Sequence, residues 1–98
     1  MTINKRTGGN ELTLSLAGRL DTTTAPELEK VLNASLDGVS ALVFDLSELE
    51  YISSAGLRVL LSAQKKMLSK GSMKVTGVGE VIMEIFDVTG FVDILTIE

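Results

Sequence analysis

The sequence predicts an α/β domain in which a mixed sheet, opened by a β-hairpin, carries helices packed on it. Three observations predict it. Residues 11–17 alternate polar and apolar side chains, the period of a half-buried strand. Three later stretches place apolar residues at spacings of three and four, the period of amphipathic helices. Short apolar runs separate those stretches, and strand–helix alternation implies parallel strands joined by right-handed crossovers.

Thr7-Gly8-Gly9-Asn10 is a turn signal, so residues 3–6 should pair with 11–17 as the other arm of the hairpin. Gly18-Arg19-Leu20-Asp21 then reads as the exit from the strand. Thr24-Ala25-Pro26-Glu27 has the form of a capping box, with Thr24 as N-cap, Pro26 in the first turn and Glu27 three residues on. Leu28, Val31, Leu32 and Leu36 follow on one helical face, and Gly38 is the stop.

Residues 41–46 are continuously apolar except for Asp45, as expected of a strand covered on both faces. The second helix is expected from about Ser54 to Lys70. Leu57, Leu60, Leu61, Gln64 and Leu68 line one side of it, with Met67 beside them. Lys65, Lys66 and Lys70 near its end and Gly71 after it match the preferred charge and stop signals. Residues 73–78 read as a short strand. Val81, Ile82, Ile85 and Phe86 mark a third helix stopping near Gly90, and residues 94–97 either add a terminal strand or pack across the core. The predicted order is ββαβαβα, with or without a final β.

Composition narrows the functions this frame can carry. A chain of 98 residues supports one hydrophobic core, and 45% hydrophobic with 22% charged residues is a globular balance. With no Cys and no His, disulfides, thiolate chemistry, the common transition-metal sites and Ser-His or Cys-His nucleophile pairs are all out of reach. No calcium-loop spacing and no Walker-type phosphate loop occurs, so neither a metal, a cofactor nor an enzyme activity is expected. A net charge of −4 argues against nucleic-acid binding, which needs a basic face for phosphates. The opening residues lack a signal-peptide apolar run, and no stretch approaches the ~20 apolar residues of a membrane span. A cytoplasmic location, without membrane insertion, is the expectation.

The most informative stretch is Tyr51-Ile52-Ser53-Ser54-Ala55-Gly56-Leu57. A serine here stands at a helix N-terminus, where free N–H groups and the helix dipole favour added negative charge. Ser is also among the best N-cap residues, so one hydroxyl can be a plain cap. Ser54 is the candidate phosphoacceptor, with Ser53 as the alternative. Gly56 is expected to keep the first turn bare, and Tyr51-Ile52 to form an apolar lip for a partner. A phosphate would add about −1.5 to −2 charges beside Asp45, Glu48 and Glu50, which are near in sequence. Asp21 either closes a turn through backbone hydrogen bonds or lies beside the serine loop and orients a partner or phosphoryl donor. Arg58, one turn into the helix, is either solvated or paired with a phosphate or a partner carboxylate. The expected partner surface comprises Asp21, Thr22, Tyr51, Ile52, Ser53, Gly56, Leu57 and Arg58. Gly77-Val78-Gly79-Glu80 reads as a tight strand-to-helix turn rather than an anion cradle, and Met67, Met73 and Met83 as core fillers.

Taken together, several motifs resemble the STAS domain family, in particular the bacterial anti-sigma factor antagonists. They are Gly18-Arg19-Leu20-Asp21 with Ala25-Pro26-Glu27-Leu28, Leu42-Val43-Phe44-Asp45-Leu46-Ser47, Ile52-Ser53-Ser54-Ala55-Gly56-Leu57, Val75-Thr76-Gly77-Val78 and Ile85-Phe86-Asp87-Val88-Thr89-Gly90-Phe91. The resemblance spans nearly the whole chain and implies one STAS domain over residues 1–98. It further implies a partner-switching protein. The unphosphorylated form would bind an anti-sigma factor, itself a serine kinase of the histidine-kinase-like ATPase type, and so free the sigma factor. Phosphorylation would break that complex, and a serine phosphatase would restore it. Well-known members carry Asp-Ser-Ser-Gly or Asp-Ser-Thr-Gly at the site. Aligned on Gly56-Leu57, Ser53 replaces the Asp, Ser54 matches the first hydroxyl residue and Ala55 replaces the second. The resemblance also allows a constitutive interaction module, such as an accessory subunit of a lipid-transport complex.

Overall fold

The computed structural model describes all 98 residues. The opening hairpin is formed by β1 (Thr2–Gly8) and β2 (Glu11–Leu20), paired antiparallel with Gly8 opposite Glu11. Gly9 makes the two-residue turn possible because it adopts φ +61°, a region other residues rarely enter. There follow α1 (Ala25–Ser35), β3 (Ala41–Ile52), α2 (Ser54–Leu68), β4 (Ser72–Thr76), α3 (Glu80–Thr89) and a 3₁₀ turn, Phe91–Asp93. The sheet order is β1-β2-β3-β4, with β2, β3 and β4 mutually parallel. The predicted fold class, element order and mixed sheet are borne out.

Right-handed crossovers between consecutive parallel strands put α1 and α2 on the same side of the sheet, and α3 packs into the same core. Leu12, Leu14 and Leu16 of β2, Leu42, Phe44 and Leu46 of β3, and Met73 and Val75 of β4 face that side. They form one core with Leu28 and Leu32 of α1, Leu60 and Ala63 of α2, and Ile82 and Phe86 of α3. The opposite face is bare. Val43 and Asp45 lie there beside Thr13 and Ser15, so the expectation that β3 is covered on both faces is corrected: its alternate residues are shielded by neighbouring strands, not by a second helical layer.

Both central strands overrun their predicted ends. β2 continues through Gly18-Arg19 to Leu20, and β3 through Ser47-Glu48-Leu49-Glu50 to Ile52. Two register shifts let them stay paired, with Gly18 opposite Leu49 and Leu20 opposite Ile52. The polar residues of this extension face solvent while Leu49 and Ile52 stay buried.

The capping box does not form. Thr24 is helical in backbone (φ −98°, ψ −20°), and its hydroxyl is used elsewhere, accepting from the Asp21 N–H at 2.8 Å and donating to the Arg19 carbonyl at 2.8 Å. α1 ends at Ser35, before Gly38 is reached. On α2 the buried side is Gly56, Leu57, Val59, Leu60, Ala63 and Met67; Leu68, expected inside, is 74% exposed. The small residues Gly56 and Ala63 turn toward the sheet, which rotates the bulky Leu68 outward. At the end of the chain only Ile97 forms a β-bridge, to Val75, as the Val75 N–H donates to Thr96 and the Glu98 N–H donates to Val75.

Candidate functional site

β3 passes into α2 with one intervening residue, Ser53. Its backbone is extended (φ −95°, ψ 175°) and it caps the helix: the Gly56 N–H donates to Ser53 Oγ at 3.4 Å and the Leu57 N–H to the Ser53 carbonyl at 2.9 Å. The Ser53 N–H in turn donates to the Leu20 carbonyl at 2.9 Å, which fastens the turn to the end of β2. Ser54 is the first helical residue and is exposed. No acidic residue occupies the first turn of α2. The positive end of the helix dipole therefore has no carboxylate from its own first turn, and Arg58 stands four residues on, a neighbouring position on the helix surface.

Gly56 is buried, and its role is close approach. A Cβ there would lie 2.7 Å from Leu20 Cγ, 2.8 Å from Ile52 Cγ1 and 3.0 Å from the Leu20 carbonyl oxygen. Its missing side chain thus seats α2 on the ends of β2 and β3 rather than baring the helix to a partner. Ile52 and Leu57 are 2% and 6% exposed. The expected apolar lip is accordingly reduced to Tyr51, and Ile52, Gly56 and Leu57 act from beneath, holding the turn in place.

The Asp21 loop adjoins this turn. Asp21 Oδ1 accepts from the Thr23 hydroxyl at 2.8 Å, the Thr23 N–H at 3.0 Å and the Thr24 N–H at 3.2 Å. These donors, the Thr23 hydroxyl foremost, hold its carboxyl below the usual range. Arg19 bridges the two loops: its Nε lies 3.9 Å from Asp21 Oδ2, and its guanidinium stacks 4.4 Å above the Tyr51 ring. Asp21 thus closes a turn through backbone hydrogen bonds, as the first reading had it, and its loop stands beside the serine turn.

Thr22 and Arg58 sit on a groove of about 630 Å³ between α1 and α2, whose remaining walls include Pro26, Glu29, Leu61, Ser62 and Lys65. The groove was not anticipated from sequence. Its signal in the sequence was the recurrence of small or polar residues, Ala55, Arg58, Ser62 and Lys65, at spacings of three and four along α2.

Asp45 is remote from the serine turn. Six residues of strand lie between it and Ile52, a separation of roughly 23 Å at the usual rise, and it lies on the bare face of the sheet. There the Ser47 N–H donates to its Oδ1 at 3.0 Å, and Ser47, Arg6 and Ser15 together hold its carboxyl low. Gly77 (φ +66°) and Gly79, the N-cap of α3, form the expected tight turn. No three acidic side chains converge as metal ligands would.

Comparison with known proteins places this geometry in a family. The family model described as "Mlab, STAS domain" matches residues 3–96. The BtrV protein of Bordetella bronchiseptica, a candidate anti-sigma factor antagonist, is 36% identical over 84 residues, which cover 84% of this chain and 72% of that protein. The anti-sigma-B factor antagonist of Bacillus subtilis is 30% identical over 89 residues, covering 90% and 82%. In three dimensions, an anti-sigma factor antagonist from Mycobacterium paratuberculosis superposes with a TM-score of 0.88 at 28% identity, over 98% of this chain and 83% of that one. The chain belongs to the STAS domain family, alongside the bacterial anti-sigma factor antagonists.

Proposed function

We propose that this protein is an anti-sigma factor antagonist that acts in the cytoplasm by partner switching, with Ser54 as its phosphoacceptor. The observation that carries the reading is the division of labour between adjacent serines. Ser53 is engaged as the cap, while Ser54 presents its hydroxyl to solvent at the positive end of α2. The unmodified protein binds an anti-sigma factor that is also a serine kinase of the histidine-kinase-like ATPase type, and sigma factor is released. In the transfer, Ser54 Oγ attacks the γ-phosphorus of ATP held by the kinase, the bond to the ADP oxygen breaks, and the hydroxyl proton passes to a base of the kinase. This chain supplies no base. It has no histidine, and the adjoining carboxylate, Asp21, has its pKa lowered by hydrogen bonds from Thr23 and Thr24, which makes it a weak base.

The phosphoserine then adds about −1.5 to −2 charges at the helix start, within reach of the i+4 residue Arg58. A partner fitted to the neutral hydroxyl and the free guanidinium meets a changed surface and dissociates. A serine phosphatase resets the state. Tyr51, Arg19, Asp21, Thr22 and Arg58 are the exposed or half-exposed groups around Ser54 that a partner would meet. The test is phosphorylation by the cognate kinase with ATP, located by mass spectrometry. Ser54→Ala should abolish transfer and Ser53→Ala should retain it; full transfer to Ser54→Ala would remove Ser54 from the role.

A second reading, a constitutive interaction module such as an accessory subunit of a lipid-transport complex, is favoured by one observation. Ser53 and Ala55 stand where well-known switching members carry Asp and a second hydroxyl residue. Under it, affinity capture would recover transport-ATPase subunits and no kinase.

A further inference from the structure

The outward faces of α2 and α3 carry opposite charge, whereas α1 is mixed, with Glu27, Glu29 and Lys30 exposed. α2 holds Arg58, Lys65 and Lys66 and no acidic residue; α3 holds Glu80, Glu84 and Asp87 and no basic one. All six are exposed. The two ion pairs of the chain, Arg19–Asp21 and Lys74–Glu98, use none of them. In a protein of net charge −4, this segregation leaves two patches that form no intramolecular ion pair, although Glu29 of α1 lines the same groove as Arg58 and Lys65.

The exposed apolar side chains follow the same division. The large hydrophobics that face solvent are Leu68 (74%) on α2, Val81 (59%) and Val88 (80%) on α3, and Ile94 just beyond it. On α2, Leu61 and Leu68 are seven residues apart on one stripe with Arg58 and Lys65. On α3, Val81 and Val88 are also seven apart, with Ile85 between them and Glu84 and Asp87 alongside. Seven residues span about 10.5 Å of helix, so the two stripes present apolar residues at matched spacing. The heptad interval is the one at which two helices interlock side chains along a seam, with flanking charges setting the pairing.

We propose that the outer face of α3 in one copy docks on the outer face of α2 in a second copy of this chain, forming a weak, salt-sensitive self-association. Val81 and Val88 pack between Leu61 and Leu68, and Glu84 and Asp87 oppose Arg58 and Lys65. The occupant is a second copy because α3 is itself the acidic helix, apolar at heptad spacing, that the α2 stripe fits. The inference concerns the unmodified protein and stands independently of the phosphorylation proposed above.

Sedimentation equilibrium of the full chain tests it. At about 10 mM salt, where charges act over ~30 Å, the average mass should rise above that of the monomer with concentration; at about 150 mM, where they act over ~8 Å, association should weaken. Two charge-inverted variants sharpen the test, Arg58→Glu with Lys65→Glu, and Glu84→Lys with Asp87→Lys. Each alone should be monomeric, and an equimolar mixture should associate again, because each inverted face then meets its complement. A wild-type protein that stays monomeric at low salt, variants that associate as the wild type does, or a mixture that remains monomeric would each overturn the proposal. Should a variant fail to fold, Leu68→Ser and Val88→Ser serve instead. Either should weaken the association, and unchanged association in both would refute it.

Discussion

Two neighbouring hydroxyls at the start of α2 stand in different surroundings, and the difference can be measured as stability. Ser53 Oγ accepts the Gly56 N–H at 3.4 Å, a long bond, so Ser53→Ala should cost about 0.5–1 kcal/mol, at the low end for a lost cap. Ser54 is exposed, and Ser54→Ala should change stability by less than about 0.5 kcal/mol. Urea denaturation of both variants separates the cap from the free hydroxyl. Gly56 is the demanding position: a methyl group would press on Leu20, Ile52 and the Leu20 carbonyl. Gly56→Ala should destabilise by about 1–2 kcal/mol, the overpacking cost outweighing the gain in helix propensity. A neutral or stabilising result would show that the end of β2 yields easily. Asp45 offers a pH test. Its carboxyl is held low by the Ser47 N–H and hydroxyl, with Arg6 and Ser15 contributing. A depressed carboxylate stabilises the fold above its unfolded value of about 3.9, and that contribution is lost as pH falls through the folded value. Asp45→Asn should therefore lower Tm at pH 7, and the difference from wild type should begin to shrink as pH falls to about 3.9 and vanish only below the folded value, which lies lower.

At the scale of elements, what was legible depended on whether local pattern and tertiary packing agreed. The hairpin turn at Gly9-Asn10, the alternation in β2 and the start of α2 at Ser54 were all readable, because turn chemistry, period and capping point the same way there. The extension of β3 through Ser47-Glu48-Leu49-Glu50 was not, because its polar residues imitate a loop. It is held by pairing with β2, which a one-dimensional pattern does not contain. Thr24-Ala25-Pro26-Glu27 had the form of a capping box, yet the Asp21 turn claims the Thr24 hydroxyl first. Helix α2 was found but rotated, since bulk marks Leu68 as core whereas close approach to the sheet selects Gly56 and Ala63. The rotation has a direct consequence: Ala63→Leu should cost about 1–3 kcal/mol by overpacking, whereas Leu68→Ser should stay within about 0.5 kcal/mol, both read by chemical denaturation. The reverse order would mean that α2 faces the sheet as the bulk pattern suggested.

For the whole molecule, one-sided packing determines where function resides. All helices lie on one face, and the extended ends of β2 and β3 carry the Asp21 loop and the serine turn to a common edge. The position of Ser54 was legible as soon as a strand and a helix were recognised on either side of it. What could not be read was which neighbours are buried: Leu57 fitted both the apolar side of α2 and the partner surface, and Ile52 and Gly56 were assigned to that surface, whereas the end of β2 lies against them. The resulting surface is small: an exposed hydroxyl, Arg58 beside it, Arg19 stacked on Tyr51, and the α1–α2 groove. A switch on such a surface works only if charge at Ser54 alters affinity for the kinase partner. The most direct measurement is calorimetric titration of that kinase with unmodified protein and with protein phosphorylated at Ser54. The expected result is tight binding of the unmodified form and at least a ~10-fold loss on phosphorylation, or about 1.4 kcal/mol. Equal affinity for the two forms would contradict the account.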